Sequence, residues 1–172
     1  MKNIELKILL SNFRHISAIL KKMGAKFKSR LSQIDTYYNC KNGRLKLREI
    51  NGKNFELIFY QRPDTKKSKI SDYNVLKFNR SNIEDIKNIL TRAMGENVTV
   101  KKERNLWIYK NTRIHLDDVN KLGKFLELET VIDGINLINA KKEHEKVIKL
   151  LNIAQCKKIK KSYSDLLLNK NL

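Results

Sequence analysis

The clearest signal of the fold is the stretch Arg113-Ile-His-Leu-Asp-Asp-Val-Asn-Lys-Leu-Gly-Lys-Phe-Leu-Glu-Leu-Glu129. On both sides of Gly123, charged or polar residues alternate with Ile, Leu, Val or Phe. Residues two apart point to the same face of a strand, so this spacing predicts two paired strands, each with a charged face and an apolar face. The stretch Asn3-Ile-Glu-Leu-Lys7 repeats the pattern near the start of the chain.

Applied to the whole chain, this pattern predicts roughly eight strands, mostly joined in hairpins. They cover residues 2–9, 28–39, 44–49, 55–62, 71–78, 99–110, 113–118 and 124–132. Helices are predicted after Ser11, after a capping box formed by Ser81 and Glu84, near residues 141–151 and in the final segment. We therefore predict an α+β protein, one domain over residues 1–172, built as an antiparallel eight-stranded β-barrel or tunnel with helices packed outside.

The charged faces of these strands carry acids and bases that suit one shared site. If the apolar faces pack under the helices, the charged faces point into the barrel, and such a lining must be wet or liganded because unpaired buried charge is costly. Arginine and lysine can neutralise a phosphate chain, and clustered carboxylates suit Mg²⁺ or Mn²⁺. The alternative is a barrel with outward-facing salt bridges and no ligand, which would leave the apolar helix stripes without a partner.

The composition favours an anionic partner. The 172 residues contain 37 Lys and Arg against 18 Asp and Glu, a formal net charge of +19. Nucleic acid is the usual partner of so basic a chain, but solvated surface lysines explain the net charge equally well, so nucleic acid is possible and not favoured. With no long apolar run and only two widely separated cysteines, we expect a cytoplasmic protein with reduced thiols and no membrane partner, either a monomer or a homodimer.

Four single residues have competing interpretations. His15 and His144 fall in helical segments and are predicted to lie on the surface. His115 shares its strand face with Arg113 and Asp117, so we expect it to hydrogen-bond around the site rather than to act as the general base. Trp107 has the opposite parity from Arg104 and is predicted to pack in the core.

Taken together, these motifs resemble the CYTH superfamily, also called triphosphate tunnel metalloenzymes. The resemblance covers nearly the whole chain. The superfamily includes the class IV adenylate cyclases, thiamine triphosphatases and inorganic or RNA triphosphatases. It rests on residues 3–7, Asp35-Thr-Tyr-Tyr, Gly43-Arg-Leu-Lys-Leu-Arg-Glu49, Tyr60-Gln-Arg-Pro-Asp64, Lys69-Ile-Ser-Asp-Tyr73, Lys102-Glu-Arg104, residues 113–129 and Ser162-Tyr-Ser-Asp-Leu166.

The resemblance implies a role for each matching position. It places the metal ligands for Mg²⁺ or Mn²⁺ on Glu5, Glu127 and Glu129. It puts catalytic groups at Asp117 and Lys7. It assigns a bound triphosphate to Lys7, Lys46, Arg48, Arg62, Lys102, Arg104 and Arg113. Two positions depart from the family pattern: Asn3 replaces the first glutamate of the opening motif, and Gln61 stands where a tunnel lysine is common, which makes Arg62 a candidate substitute.

Three functions follow from this reading. The preferred one is a metal-dependent phosphohydrolase acting on a triphosphate-containing small molecule. The second is a class IV adenylate cyclase, which shares the phosphate grip but would hold the ribose hydroxyl in line with the α-phosphate. The third is a basic protein that binds RNA or polyphosphate and whose metal site has decayed. Asn3 and Gln61 favour this interpretation, and the retained acids oppose it.

The sequence also predicts the effect of one substitution. The grouped carboxylates should repel one another, so that Glu127→Gln leaves the fold intact or slightly more stable.

Overall fold

The computed structural model describes residues 2–61 and 72–170. In chain order its elements are β1 (Lys2–Leu10), α1 (Arg14–Lys22), β2 (Lys26–Tyr38), β3 (Arg44–Ile50), β4 (Asn54–Gln61), β5 (Asp72–Phe78), α2 (Ile83–Met94), β6 (Glu96–Tyr109), β7 (Thr112–Val119), β8 (Gly123–Ile132), α3 (Leu137–Leu150) and α4 (Tyr163–Leu168). A short 3-10 turn at Arg80–Asn82 precedes α2.

The strands form one antiparallel sheet in the order β1-β8-β7-β6-β2-β3-β4-β5. Residues of both edge strands, β1 and β5, line the same cavity, which shows that the sheet curves strongly. Among the described residues, β1 and β5 are not hydrogen-bonded to each other, so the sheet has seven ladders and no eighth ladder closes it into a barrel. The predicted α+β architecture of eight antiparallel strands is confirmed, with α1, α2 and α3 packed outside the sheet.

Helices α1 and α3 cover the convex face of the sheet. Their apolar stripes pack on the Leu and Ile side chains of β1, β7 and β8, which lie at the positions between the charged ones. Helix α2 covers the convex face of β2, β3 and β4 through Ile83, which packs with Tyr38, Leu47 and Phe55. The apolar side chains of these alternating strands therefore pack against the helices, and the charged side chains lie on the concave face.

Helix α4 packs on the concave face instead. Its residues Tyr163 and Leu167 join an apolar cluster with concave residues of the sheet, including Ile58 and Phe125. A capping box fixes its first turn: the Ser162 hydroxyl accepts from the Asp165 amide, and the Asp165 carboxylate accepts from the Ser162 amide. The C-terminal helix thus contributes side chains to the interior of the tunnel.

The predicted hairpin turn is confirmed, but the predicted helix starts are not. The Asn51-Gly52 hairpin is confirmed, with φ of 53° and 63°, the left-handed values that a type I′ turn requires. Ser11 and the Ser81–Glu84 capping box were wrong predictions, because α1 begins after Phe13 and α2 after Asn82 without side-chain caps. Helix α3 starts earlier than predicted, at Leu137, with the Asn136 side chain accepting from the Asn139 amide. The helices in the described part of the chain are too short or too polar to span a bilayer.

Three predictions about single residues are also settled. Trp107 is 8% exposed and packs in the convex-side core, as predicted. His15 is exposed, as predicted. The surface prediction for His144 is wrong: its ring is buried between α3 and β8, where Nδ1 lies 2.9 Å from the Thr130 hydroxyl. Both cysteines are free thiols.

Candidate functional site

A cavity of about 500 Å³ occupies the concave side of the sheet. Its walls come from all strands of the sheet and from the start of α4. The charged residues that line it are Glu5, Lys7, Asp35, Lys46, Arg48, Glu56, Lys77, Lys102, Arg104, Arg113, Glu127 and Glu129. Nine of the predicted site residues are in this set. Arg62 lies outside the described residues, and Asp117 lies behind Arg104 rather than on the described lining.

Asp35 organises the basic wall. It is 1% exposed, and Arg48 donates to both of its oxygens, from Nε at 2.7 Å and from Nη2 at 2.9 Å. Lys46 Nζ lies 3.1 Å and Lys102 Nζ 3.4 Å from Asp35 Oδ2. Burial alone would raise the pKa of Asp35, but Arg48, Lys102 and Lys46 outweigh it and hold the pKa well below its ordinary value. One buried carboxylate thus positions three bases that face the cavity.

Lys102 lies in surroundings that disfavour its positive charge. Burial lowers the pKa of Lys102 to about 8, against the attraction of Asp35. Repulsion from Arg104 and Arg48 contributes to this lowered pKa. An anion entering the cavity would relieve that repulsion, because it would bring negative charge next to a cluster of like-charged groups.

A second buried carboxylate holds Arg104. Asp117 is fully buried, and its oxygens accept from Arg104 Nε at 2.7 Å and Nη2 at 2.6 Å, with the Tyr163 hydroxyl donating at 2.9 Å. Burial would raise the pKa of Asp117, but Arg104 lowers it below the ordinary value. Arg104 Nη2 also donates to Glu127 Oε2 at 2.8 Å. Arg104 therefore links the interior of the tunnel to its acidic wall.

Lys7 lies between the acidic wall and α4. Its Nζ is 3.1 Å from Glu127 Oε1 and 4.1 Å from the ring centroid of Tyr163. The ion pair and the cation–π contact both fix the ammonium at the cavity surface. Burial would raise the pKa of Glu127, but Lys7 and Arg104 hold it well below the ordinary value, so the carboxylate is ionised.

The structure also gathers a metal-compatible group, but its membership differs from the predicted one. Donor atoms of His115, Glu127 and Glu129 all lie within 4.8 Å of one another. Glu5 pairs with Glu129 in register across β1 and β8 and lines the same wall, but it is not in this close group. Two carboxylates and one imidazole are a donor set that fits a divalent cation.

Two buried polar atoms on this wall support the fit. His115 Nδ1 and Asn3 Oδ1 are both inaccessible and have no hydrogen-bond partner within the described part of the chain. A buried donor or acceptor without a partner is costly, and an ion is one way to satisfy it. The residues present therefore fit a bound divalent cation next to the basic wall.

Sequence reasoning missed three contributors. Asp35 sits among uncharged neighbours in Gln33-Ile-Asp-Thr-Tyr37, so charge alternation gave no signal, although a lone acid opposite Arg48 in the β2–β3 pairing could have given one. Tyr163 could not be assigned without the position of α4. His115 was placed on the right face, but its closeness to the two glutamates depends on strand register, which residue spacing does not give.

The chain belongs to the CYTH family, whose model matches residues 1–163. It is 29% identical to a Methanocaldococcus jannaschii protein with the provisional name adenylate cyclase, over 96% of this chain and 98% of the relative. A Pyrococcus horikoshii structure matches with a TM-score of 0.79 at 24% identity, covering 95% of this chain and 98% of that one. A Hippeastrum structure, provisionally named adenylyl cyclase and described as having a dominant triphosphatase activity, matches with a TM-score of 0.71 at 10% identity, covering 100% and 97%.

Proposed function

We propose that this protein is a divalent-metal-dependent phosphohydrolase that releases the terminal phosphate of a triphosphate bound in the concave cavity. The observation that carries the proposal is the juxtaposition of the basic wall around Asp35 with the metal-compatible group around Glu127. Membership of the CYTH family supports the same class of reaction.

The phosphate chain would lie along Lys46, Arg48, Lys102 and Arg104. Arginine can hold two phosphate oxygens at once, and here each arginine is already oriented by a buried aspartate, so little side-chain freedom is lost when the ligand binds. Arg113 is half exposed, with Nη1 4.0 Å from Glu129 Oε2, a position from which it could hold an outer phosphate.

The terminal phosphate of the bound triphosphate would lie at Glu5, Glu127 and Glu129. Mg²⁺ or Mn²⁺ held there would neutralise phosphate charge and activate water as the nucleophile. Lys7, at the same wall, would stabilise charge that develops on the phosphate being transferred. Asp117 would act through Arg104, because both of its oxygens are engaged by that guanidinium and by Tyr163.

Cyclisation is the second candidate, and the provisional name of the Methanocaldococcus jannaschii relative is what favours it. It needs the same phosphate grip and a nucleoside held in line for attack on the α-phosphate. Ile58, Tyr60 and Val75 form an apolar part of the cavity wall that could contact a base or another organic group. We favour hydrolysis, because water needs no dedicated pocket and the charged lining accounts for the phosphate chain.

One assay separates the candidates. The protein is incubated with ATP, thiamine triphosphate or tripolyphosphate in the presence of Mg²⁺ or Mn²⁺, and the products are identified by chromatography. Orthophosphate release supports the proposal. Cyclic AMP and pyrophosphate in equal amounts, formed faster than orthophosphate, would show a cyclase. No turnover of any substrate would favour a binding protein with a decayed metal site.

A further inference from the structure

We infer that His115 is a direct nitrogen ligand of the bound cation, and that this ligand makes the site prefer Mn²⁺ over Mg²⁺. The inference rests on the proposed function, because it concerns the ion that would serve the same cavity. It goes beyond the carboxylates that the sequence motifs point to.

The geometry around His115 does not match an ordinary hydrogen bond. Nδ1 lies 3.6 Å from Glu127 Oε2 and 3.7 Å from Glu129 Oε1, beyond hydrogen-bonding distance to either oxygen. The residue is only 3% exposed, so water does not readily reach the ring. The imidazole is therefore placed between two carboxylates without being bonded to them.

A bound cation accounts for this arrangement. Transition ions and Mg²⁺ form bonds of about 2.0–2.3 Å to nitrogen and oxygen, so ligand atoms around one ion lie up to about 4.6 Å apart. The donor atoms of His115, Glu127 and Glu129 lie within 4.8 Å of one another, which needs only a small contraction to enclose one ion. Strand pairing sets this spacing, since His115 is opposite Glu127 in β7 and β8.

The donor types decide which ion is preferred. Mg²⁺ is a hard ion that suits carboxylate, carbonyl and water oxygens, whereas imidazole is a ligand of transition ions. Asn3 supplies a neutral amide, one position along the same face from Glu5. With fewer negative charges on the wall, attraction for a hard ion is weaker and the nitrogen contributes a larger share of the affinity.

Pulsed electron paramagnetic resonance of the Mn²⁺-loaded full chain tests the assignment directly, because a bonded imidazole nitrogen couples to the electron spin of Mn²⁺. Wild-type protein should show nitrogen coupling that changes when the histidines are labelled with ¹⁵N. His115→Gln should lose the coupling, and the control His144→Asn should keep it, since His144 is bonded to Thr130 on the other side of the sheet. The isotope experiment needs no variant, so a folding defect in His115→Gln cannot obscure the result.

Affinity measurements supply the second test. Titration should show that His115→Gln weakens Mn²⁺ binding at least tenfold and Mg²⁺ binding less than about threefold, whereas Glu129→Gln weakens both. A Mn²⁺ spectrum without nitrogen coupling in the labelled wild type, or equal weakening of both ions by His115→Gln, would overturn the inference. Neither readout uses turnover. If the protein binds Mn²⁺ through His115 but hydrolyses no triphosphate, the proposed function is wrong and the inference about His115 still holds.

Discussion

Arg48 donates two hydrogen bonds to Asp35, at 2.7 Å and 2.9 Å, from the directly opposite position in the β2–β3 pairing. Lys46 and Lys102 approach the same carboxylate from either side. The bases of the cavity are thus held by a buried acid before any phosphate arrives. This arrangement limits repulsion among the bases and keeps them oriented towards the ligand.

Removing the charge of Asp35 should expose that repulsion. In Asp35→Asn the three bases lose their buried countercharge, so we expect the free energy of unfolding to fall by about 3 kcal/mol in the absence of ligand. Tripolyphosphate would replace the missing charge, so it should raise the melting temperature more in the variant than in the wild type. Thermal denaturation with and without tripolyphosphate measures both effects. Asp118→Asn, which removes an exposed pair with Lys124, is the control, and an equal or smaller gain for Asp35→Asn would refute the account.

Lys102 predicts proton uptake on binding. Burial lowers the pKa of Lys102 to about 8, so much of the population is neutral at pH 8.5. A phosphate chain beside the amine raises this pKa, and binding should then draw a proton from the solvent. Calorimetry of tripolyphosphate binding in buffers of different ionisation enthalpy counts these protons. Lys102→Arg stays charged at this pH and should take up fewer protons, whereas identical uptake by both proteins would exclude Lys102 as the source.

His144 predicts a loss of stability in mild acid. Burial, together with a smaller effect of the charge on Lys158, lowers the pKa of His144 from its ordinary value of 6.5 to about 4. Between these values the unfolded chain binds more protons than the folded one, so the free energy of unfolding falls as pH drops from 6.5 to 4, by at most roughly 3 kcal/mol. Urea denaturation across this range should show a shallower slope for His144→Asn than for wild type. Parallel slopes for the two proteins would show that the ring does not titrate there.

Glu127→Gln should destabilise the protein, the opposite of what the sequence alone predicted. Clustered acids suggested mutual repulsion, but the structure pairs Glu127 with Lys7 and Arg104 and holds its pKa well below the ordinary value. Losing both pairs should cost about 3 kcal/mol, and metal-dependent phosphate release should fall at least about 100-fold. Glu103→Gln, on the exposed side of β6, is the matched control. A Glu127→Gln enzyme that turns over normally in excess metal would remove Glu127 from the ligand set.

Much of the fold could be predicted because period-two alternation is a property of the sequence itself. The eight strands, and the assignment of Lys46, Arg48 and Arg104 to one concave face, follow from spacing alone. The helix caps were predicted less well, because Ser11 and Ser81 satisfy the sequence rule without adopting the cap geometry. Capping depends on backbone angles at the helix start, which a serine permits but does not impose.

The parts of the site that could not be predicted depend on tertiary position. Helix α4 lies inside the curve of the sheet and brings Tyr163 to Asp117, a contact between residues far apart in the chain. Asp35 and His115 gain their importance from what faces them across strands, and a one-residue change of register would separate these pairs. The buried position of His144 likewise follows from how α3 packs on β8.

The central claim, that the cavity grips a triphosphate chain, is tested most directly by thermal denaturation with tripolyphosphate and with orthophosphate at equal concentration. A ligand at 100 times its dissociation constant adds roughly 2.7 kcal/mol to the free energy of unfolding. We predict that tripolyphosphate raises the melting temperature by several degrees and orthophosphate by far less. Arg48→Ala should shrink the difference, and Arg30→Ala, which changes an exposed arginine of β2, should leave it unchanged. Equal shifts for the two anions, or equal losses in the two variants, would contradict the account and indicate general binding to a basic surface.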